Sequence, residues 1–166
     1  MTQDPIRPTD DEARALARRL IHGARHAVLG SLDPDTGAPL VTRIALQIDV
    51  DGTPLALLSG LAAHSRAILA DPRAGLLISD EAAKGDPMTH ARLSILALAC
   101  EAPPDPLRRA RWLAHDPKAR VYIDLPDFRF WRLQPQSALL NGGFGRAFRL
   151  MPQDLLTPDM TRPPAA

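Results

Sequence analysis

The sequence predicts a mainly β protein of the α+β class, a small antiparallel barrel of six or seven strands with peripheral helices. Three observations predict it. Short apolar runs of strand length recur between turn residues, most of them are spaced for hairpins, and only three stretches carry helical periodicity. Strands and helices do not alternate as a doubly wound parallel sheet requires.

Residues 1–8 hold two prolines and little that can pack, and read as a flexible arm ahead of one domain over 9–155. Thr9 and Glu12 have capping-box spacing, and Ala13, Leu16, Ala17, Leu20 and Ile21 then mark one face of a helix ending near Gly23. His26–Leu32 reads as a strand, Asp33 to Gly37 as a turn, and Leu40–Val50 as the returning strand of a hairpin. Strand alternation puts Leu40, Thr42, Ile44, Leu46 and Ile48 on one face, and Val41, Arg43, Ala45 and Gln47 on the other. Asp51-Gly52 turns the chain into Pro54–Ser59.

A glycine turn, a short helix over about Ala62–Ala70, a stop at Asp71-Pro72 and a strand over Ala74–Ser79 follow. Residues 80–89 form a polar loop, and His90–Cys100 a long strand whose cysteine reads as a buried, inert thiol. Asp105 caps a helix with Pro106 at its first position, presenting Leu107, Ala110, Leu113 and Ala114 to the core. Residues 118–133 gather Tyr122, Phe128, Phe130 and Trp131, which read as a core strand. Ser137–Leu140 reads as a further strand and Asn141 to Ala147 as a glycine-rich turn. From Pro152 the chain is proline-rich and reads as fraying, with a flexible tail over 156–166.

Composition narrows the function. The chain has 166 residues and a net charge of +1, with its arginines spread along its length, so nucleic acid is not the expected partner. The single cysteine rules out an intrachain disulfide, no apolar run is long enough to cross a bilayer, and the opening residues lack a signal-peptide core. A soluble, cytoplasmic protein is expected. His22 and His26 lack a third metal ligand, and no metal site is expected.

One joint carries chemistry. Ser59, His64, Ser65 and Arg66 bring hydroxyls and basic groups to a helix N-terminus, which favours an anion through its free N–H groups and dipole. The same residues also suit an ordinary helix start with solvated polar side chains.

The stretch SGLAAHSRAILADPRAGLLIS, preceded by TRIALQ and followed by YIDLPDFRFWRL and GGFGRA, resembles the FMN-binding split-barrel superfamily related to pyridoxamine 5'-phosphate oxidase. It is most similar to the subgroup of haem-binding and haem-degrading split barrels, and the likeness runs from about Arg18 to Leu150. The resemblance implies a homodimer with FMN between the subunits. Arg43, Ile44, Ala45 and Leu46 would line the ring system and phosphate, and Ser59, His64, Ser65 and Arg66 would hold the phosphate. Trp131 and Arg146 would approach from the partner subunit.

This chain departs from the oxidases in having no histidine after His115, where they hold the vitamer substrate, and in carrying His64 where a phosphate-site lysine is common. Pyridoxamine phosphate oxidation is therefore not the expected reaction, and the expected protein is an FMN-dependent oxidoreductase of unknown substrate. Two alternatives stand beside it. One is a haem-binding or haem-degrading protein, with His64, His26 or His90 as axial ligand and without the C-terminal domain of longer relatives. The other is a flavin-binding module without turnover. No catalytic residue is assigned.

Overall fold

The computed structural model describes residues 5–80 and 84–156. Helix α1 (Asp11–Gly23) buries Ala13, Ala17, Leu20 and Ile21 as its periodicity predicts. Its cap is Asp10, not Thr9: the Asp10 carboxylate accepts from Ala13 N–H at 2.7 Å, while the Thr9 hydroxyl donates to the Arg149 carbonyl. Preceding it, β1 (Ile6–Arg7) pairs in parallel with β9 (Ala147–Leu150), so the expected arm is anchored from its sixth residue.

The hairpin falls where turn chemistry places it, with β2 at His26–Leu32 and β3 at Pro39–Ala45, and Gly37 taking the positive φ its turn demands. Leu46 interrupts the returning strand, leaving a short β4 (Gln47–Ile48) that pairs with β5 (Pro54–Ser59). Then come α2 (Ala63–Ala70), β6 (Arg73–Ser79), β7 (Arg92–Glu101), α3 (Pro106–His115), β8 (Phe128–Asn141) and, after β9, α4 (Pro152–Leu155). The polar loop expected over 80–89 lies partly outside the described residues; its described end is a 3-10 turn over Pro87–Thr89. Nine strands appear among the described residues: β1 and β4 are two-residue pieces too short to give a pattern, β9 follows the expected glycine-rich turn, and two expected strands merge in β8.

The sheet runs in the order β1-β9-β8-β7-β6-β2-β3, antiparallel except at β1-β9. Strand β8 is its spine. Along one edge it pairs with β7 from Trp131 to Asn141; along the other it takes β5 over Phe128–Arg132 and β9 over Ala138–Asn141. The separate strand expected at Ser137–Leu140 is therefore the far half of β8. A register shift opposite Leu96 and Ala97 leaves Gln136 extra, beside Pro135, which has no N–H to give a ladder. Because β4 follows β3 directly and pairs with β5, the sheet wraps round on itself without closing.

Two cores result. The inner faces of the sheet meet α1 and α4 around Leu29, Ile44, Leu46, Leu76, Leu93, Ile95, Trp131 and Leu155. A smaller core outside β5 joins Leu55 and Leu57 to Trp112, Ala119 and Ile123. Strand β5 is buried on both faces, which explains its unbroken apolar sequence. Alternation also divides the aromatic cluster, sending Trp131 inward while Phe128 and Phe130 join the smaller core. Fraying from Pro152 is corrected too, since α4 buries Leu155 and its Asp154 pairs with Arg14 at 2.7 Å. Residues 157–166 of the expected tail lie outside the described residues. Cys100 is exposed on the outer face of β7, not buried.

Helix α3 starts at the cap the sequence predicts, Asp105 accepting from Leu107 N–H at 2.8 Å, but turns a different face inward. Arg108 and Trp112 are buried, whereas Leu107, Ala110 and Ala114 are exposed. The cause is Asp49, which is 1% exposed and accepts from Arg108 Nη2 at 3.1 Å, from Arg111 Nη2 at 2.7 Å and from Arg132 Nη1 of β8. Arg132 also reaches Asp51 and Thr53. An isolated buried carboxylate is so costly that these guanidiniums fix the helix rotation ahead of small apolar side chains.

Burial alone would raise the Asp49 pKa, but Arg108, the Val50 N–H, Arg132 and Arg111 outweigh it and hold the group at about 2, below its usual 3.8. A depressed carboxylate stabilises the fold above its unfolded pKa and loses that contribution as pH falls through its folded value. We expect Asp49→Ala to lower the unfolding free energy by about 3–5 kcal/mol, measured by chemical denaturation, because it leaves buried guanidiniums uncompensated. The wild-type protein should lose stability steadily from pH about 4 towards 2, and Asp49→Asn should flatten that acid limb.

Candidate functional site

The joint between β5 and α2 is built by short-range bonds. Gly60 N–H donates to the Asp127 carbonyl at 2.6 Å, and a Cβ at this position would lie 3.2 Å from that oxygen, so any larger residue would crowd the approach. Ser65, 4% exposed, donates its hydroxyl to the Ser59 carbonyl at 2.6 Å and so ties the first turn of α2 to the end of β5. Ser59 Oγ in turn donates to the Asp127 carboxylate and accepts from Leu61 N–H. The N-cap residue, Ala62, supplies no side-chain cap, and the N–H groups of Ala63 and His64 have no acceptor among the described residues.

His64 is half-buried, with Nδ1 3.1 Å from Thr42 Oγ1 on β3. Burial lowers its pKa, so the imidazole is neutral at neutral pH. Its Nε2 has no partner among the described residues. Three large apolar side chains on the same two elements and the loop between β5 and α2 are exposed: Val41, Leu61 and Leu69.

Of the ten residues the sequence assigns to the site, the fold gathers Ser59, His64 and Ser65. Arg66 follows them on α2 but points to Asp35, 3.5 Å away at the surface. Arg43 is exposed on the face of β3 opposite Thr42 and makes no hydrogen bond or ion pair among the described residues. The side chains of Ile44 and Leu46 are in the main core, which leaves only their backbone to a ligand, and Ala45 packs on the smaller core. Trp131 is 7% exposed within the main core, so its ring is not presented to a partner subunit. Arg146 lies in the turn between β8 and β9, held 3.0 Å from Glu12.

As a phosphate seat the joint is poorly matched. Both serine hydroxyls donate within the protein, the Asp127 carboxylate stands where a dianion would be repelled, and the histidine is uncharged. Thr42 and Asp127 were not singled out by sequence reasoning. Thr42 could have been found as the one hydroxyl in an otherwise apolar stripe; Asp127, in a turn 68 residues beyond Ser59, carries no such signal.

The outer face of the sheet is also distinctive. Val41, Gly30, Gly75 and Leu96 stand side by side across β3, β2, β6 and β7, and Arg43, Val28, Leu77, Ser94 and Leu139 form the next row. Val41, Leu77, Leu96, Leu98 and Leu139 are all exposed there. No group of three potential metal ligands occurs among the described residues, and none of their helices is long and apolar enough to cross a membrane.

No family model matches the chain. It is 31% identical over 116 residues to a non-canonical haem oxygenase of chloroplasts from Arabidopsis thaliana, covering 68% of this chain and 34% of that protein. A protein of unknown function from Agrobacterium tumefaciens superposes with a TM-score of 0.79 at 35% identity, covering 93% of this chain and 66% of that one. A haem-binding protein from Mycobacterium smegmatis superposes at 0.78 with 29% identity, covering 90% and 61%. The chain thus spans about a third of the plant relative and under two thirds of each bacterial chain. Topology and these likenesses together give it the split-barrel fold of pyridoxamine 5'-phosphate oxidase-like and haem-binding proteins.

If the Ser65 hydroxyl holds α2 on β5, Ser65→Ala should cost about 1 kcal/mol in denaturant unfolding, the net worth of one internal hydrogen bond. Hydrogen exchange in α2 should speed up more than in β7.

Proposed function

We propose that this chain binds haem, with His64 as the iron ligand, and that it works as a dimer of two copies. The observation that carries the reading is the state of His64: neutral, half-buried, anchored through Nδ1 and with Nε2 unpartnered. Neutral imidazole with one nitrogen tethered and the other free is the form that ligates a metal. Exposed Leu61, in the loop before α2, offers apolar contact to a porphyrin, and the loosely tied Arg66 is a cation for its propionates. The haem-related names of the Arabidopsis and Mycobacterium relatives support the same ligand. Bound haem supplies redox and oxygen chemistry; the protein supplies its anchoring, orientation and shielding. The plant relative's oxygenase name extends the proposal to oxidative degradation of the haem.

FMN is the second reading. The free N–H groups of Ala63 and His64 at the start of α2, with Arg66 following on the same helix, favour it. Under that reading the protein is an FMN-dependent oxidoreductase, or a flavin carrier without turnover. The committed serines and Asp127 weigh against it.

The dimer rests on the outer face of the sheet, where five large apolar side chains stand exposed in adjacent rows. Such a patch on a monomer marks an interaction site.

Titration with haem and with FMN, followed by absorption, separates the readings. Haem should give a histidine-ligated Soret band, and His64→Ala should weaken its binding beyond the roughly 10- to 100-fold typical of losing an outer-shell partner. Tight FMN uptake with quenched fluorescence, weakened by about 1.5–3 kcal/mol in Arg43→Ala, would establish the flavin instead. Sedimentation should show a dimer, and Leu96→Glu should shift it to monomer without unfolding it.

A further inference from the structure

We infer that Thr42 is a positioning residue for His64, setting which imidazole nitrogen is presented to a metal. The inference rests on the haem reading for the identity of the ligand, but the contact it invokes belongs to the protein alone. Thr42 Oγ1 and His64 Nδ1 are 3.1 Å apart, within hydrogen-bond reach, across 22 residues of sequence and between two separate elements.

The direction of that bond follows from chemistry. A threonine hydroxyl donates or accepts, and neutral imidazole has one N–H and one lone pair. When a metal takes the lone pair of Nε2, the ring proton must sit on Nδ1, and Thr42 Oγ1 is the acceptor placed to receive it. A ligating histidine is oriented through such a bond, which also raises the basicity of the nitrogen on the metal.

Both ends of the contact are rigid. Thr42 is β-branched, so its side chain has few rotamers, and its backbone is registered opposite Leu29 in the hairpin. Its neighbours on that face, Leu40, Ile44 and Leu46, are apolar, which leaves the hydroxyl no competing side-chain acceptor on its own strand. His64 lies in the first turn of α2, whose position is fixed next door by the Ser65 hydroxyl on the Ser59 carbonyl. Imidazole and hydroxyl thus meet because β3 and α2 are each fixed independently.

Two substitutions test the inference. Thr42→Val keeps the shape and removes the hydroxyl; Thr42→Ser keeps the hydroxyl and removes a methyl group. In the apo protein, 15N spectra of the imidazoles, with His64→Ala as assignment control, should show the His64 Nδ1 signal shifted in Thr42→Val. It should return towards wild type in Thr42→Ser. An unchanged Nδ1 signal in Thr42→Val overturns the inference, whether or not haem binds.

With haem, Thr42→Val should lose roughly tenfold or more in affinity, and Thr42→Ser should regain most of it. The iron–histidine stretching frequency of the ferrous protein should fall in Thr42→Val and recover in Thr42→Ser. Wild-type affinity and frequency in Thr42→Val, with His64→Ala showing His64 to be the ligand, overturn the positioning role alone. Unchanged haem binding in His64→Ala removes His64 as ligand, and the inference about its presentation to iron falls with it.

Discussion

Asp49 is the constraint on which the rest of the structure turns. A carboxylate almost wholly removed from water has to be met by cations, and the fold supplies three, from two residues of α3 and one of β8. That requirement rotates α3 so that Arg108 and Trp112 face inward. Trp112 then completes the smaller core with Leu55 and Leu57 and meets Phe130 edge to face at 5.5 Å. Burial of β5 on its second face follows, and with it a fixed position for Ser59 at the strand's end. Ion pairs of this kind add little net stability over an apolar substitute, and their effect here is on geometry.

Strand β8 carries the same logic across the sheet. Its fourteen residues touch both cores in alternation: Phe130 outward, Trp131 inward, Arg132 to the Asp49 cluster, Leu133 inward again. The turn that leads into it brings Asp127 against Ser59 and Gly60. The helix start that could hold an anion is therefore supported by a carboxylate, and its hydroxyls donate within the protein. Local sequence offers hydroxyls and helix amides; tertiary structure commits the hydroxyls and leaves the imidazole of His64 free at Nε2.

How far the sequence is legible follows from the range of the interactions. Strands β2 and β5 fall at their expected limits because alternation, apolar runs and turn dipeptides are properties of neighbouring residues. The Asp105–Pro106 helix start is legible for the same reason. The inward face of α3 is not, since Leu107, Ala110, Leu113 and Ala114 have core spacing and only a distant Asp49 overrides it. Continuity of β8 is hidden by Pro135, which looks like a break and is absorbed as a bulge. At the site, Ser59, His64 and Ser65 were legible as a group because the helix start places them together. Thr42 and Asp127 reach them across 22 and 68 residues; Thr42 shows only as the one hydroxyl in an apolar stripe, and no local pattern announces Asp127.

These distances also explain why one barrel can suit either a phosphate-bearing flavin or a haem. The scaffold delivers the same strand end, helix start and edge strand whichever ligand is held, and fold alone does not choose between them. The choice lies in a few side chains. A dianion needs free donors and a net positive field, whereas an iron centre needs one neutral imidazole held at a fixed angle in apolar surroundings. With Asp127 on Ser59, Ser65 turned to the backbone and Thr42 on His64, the serine hydroxyls are spent and the imidazole is held. The two serine bonds weaken the phosphate seat, and the Thr42 contact tethers the imidazole that the haem proposal requires.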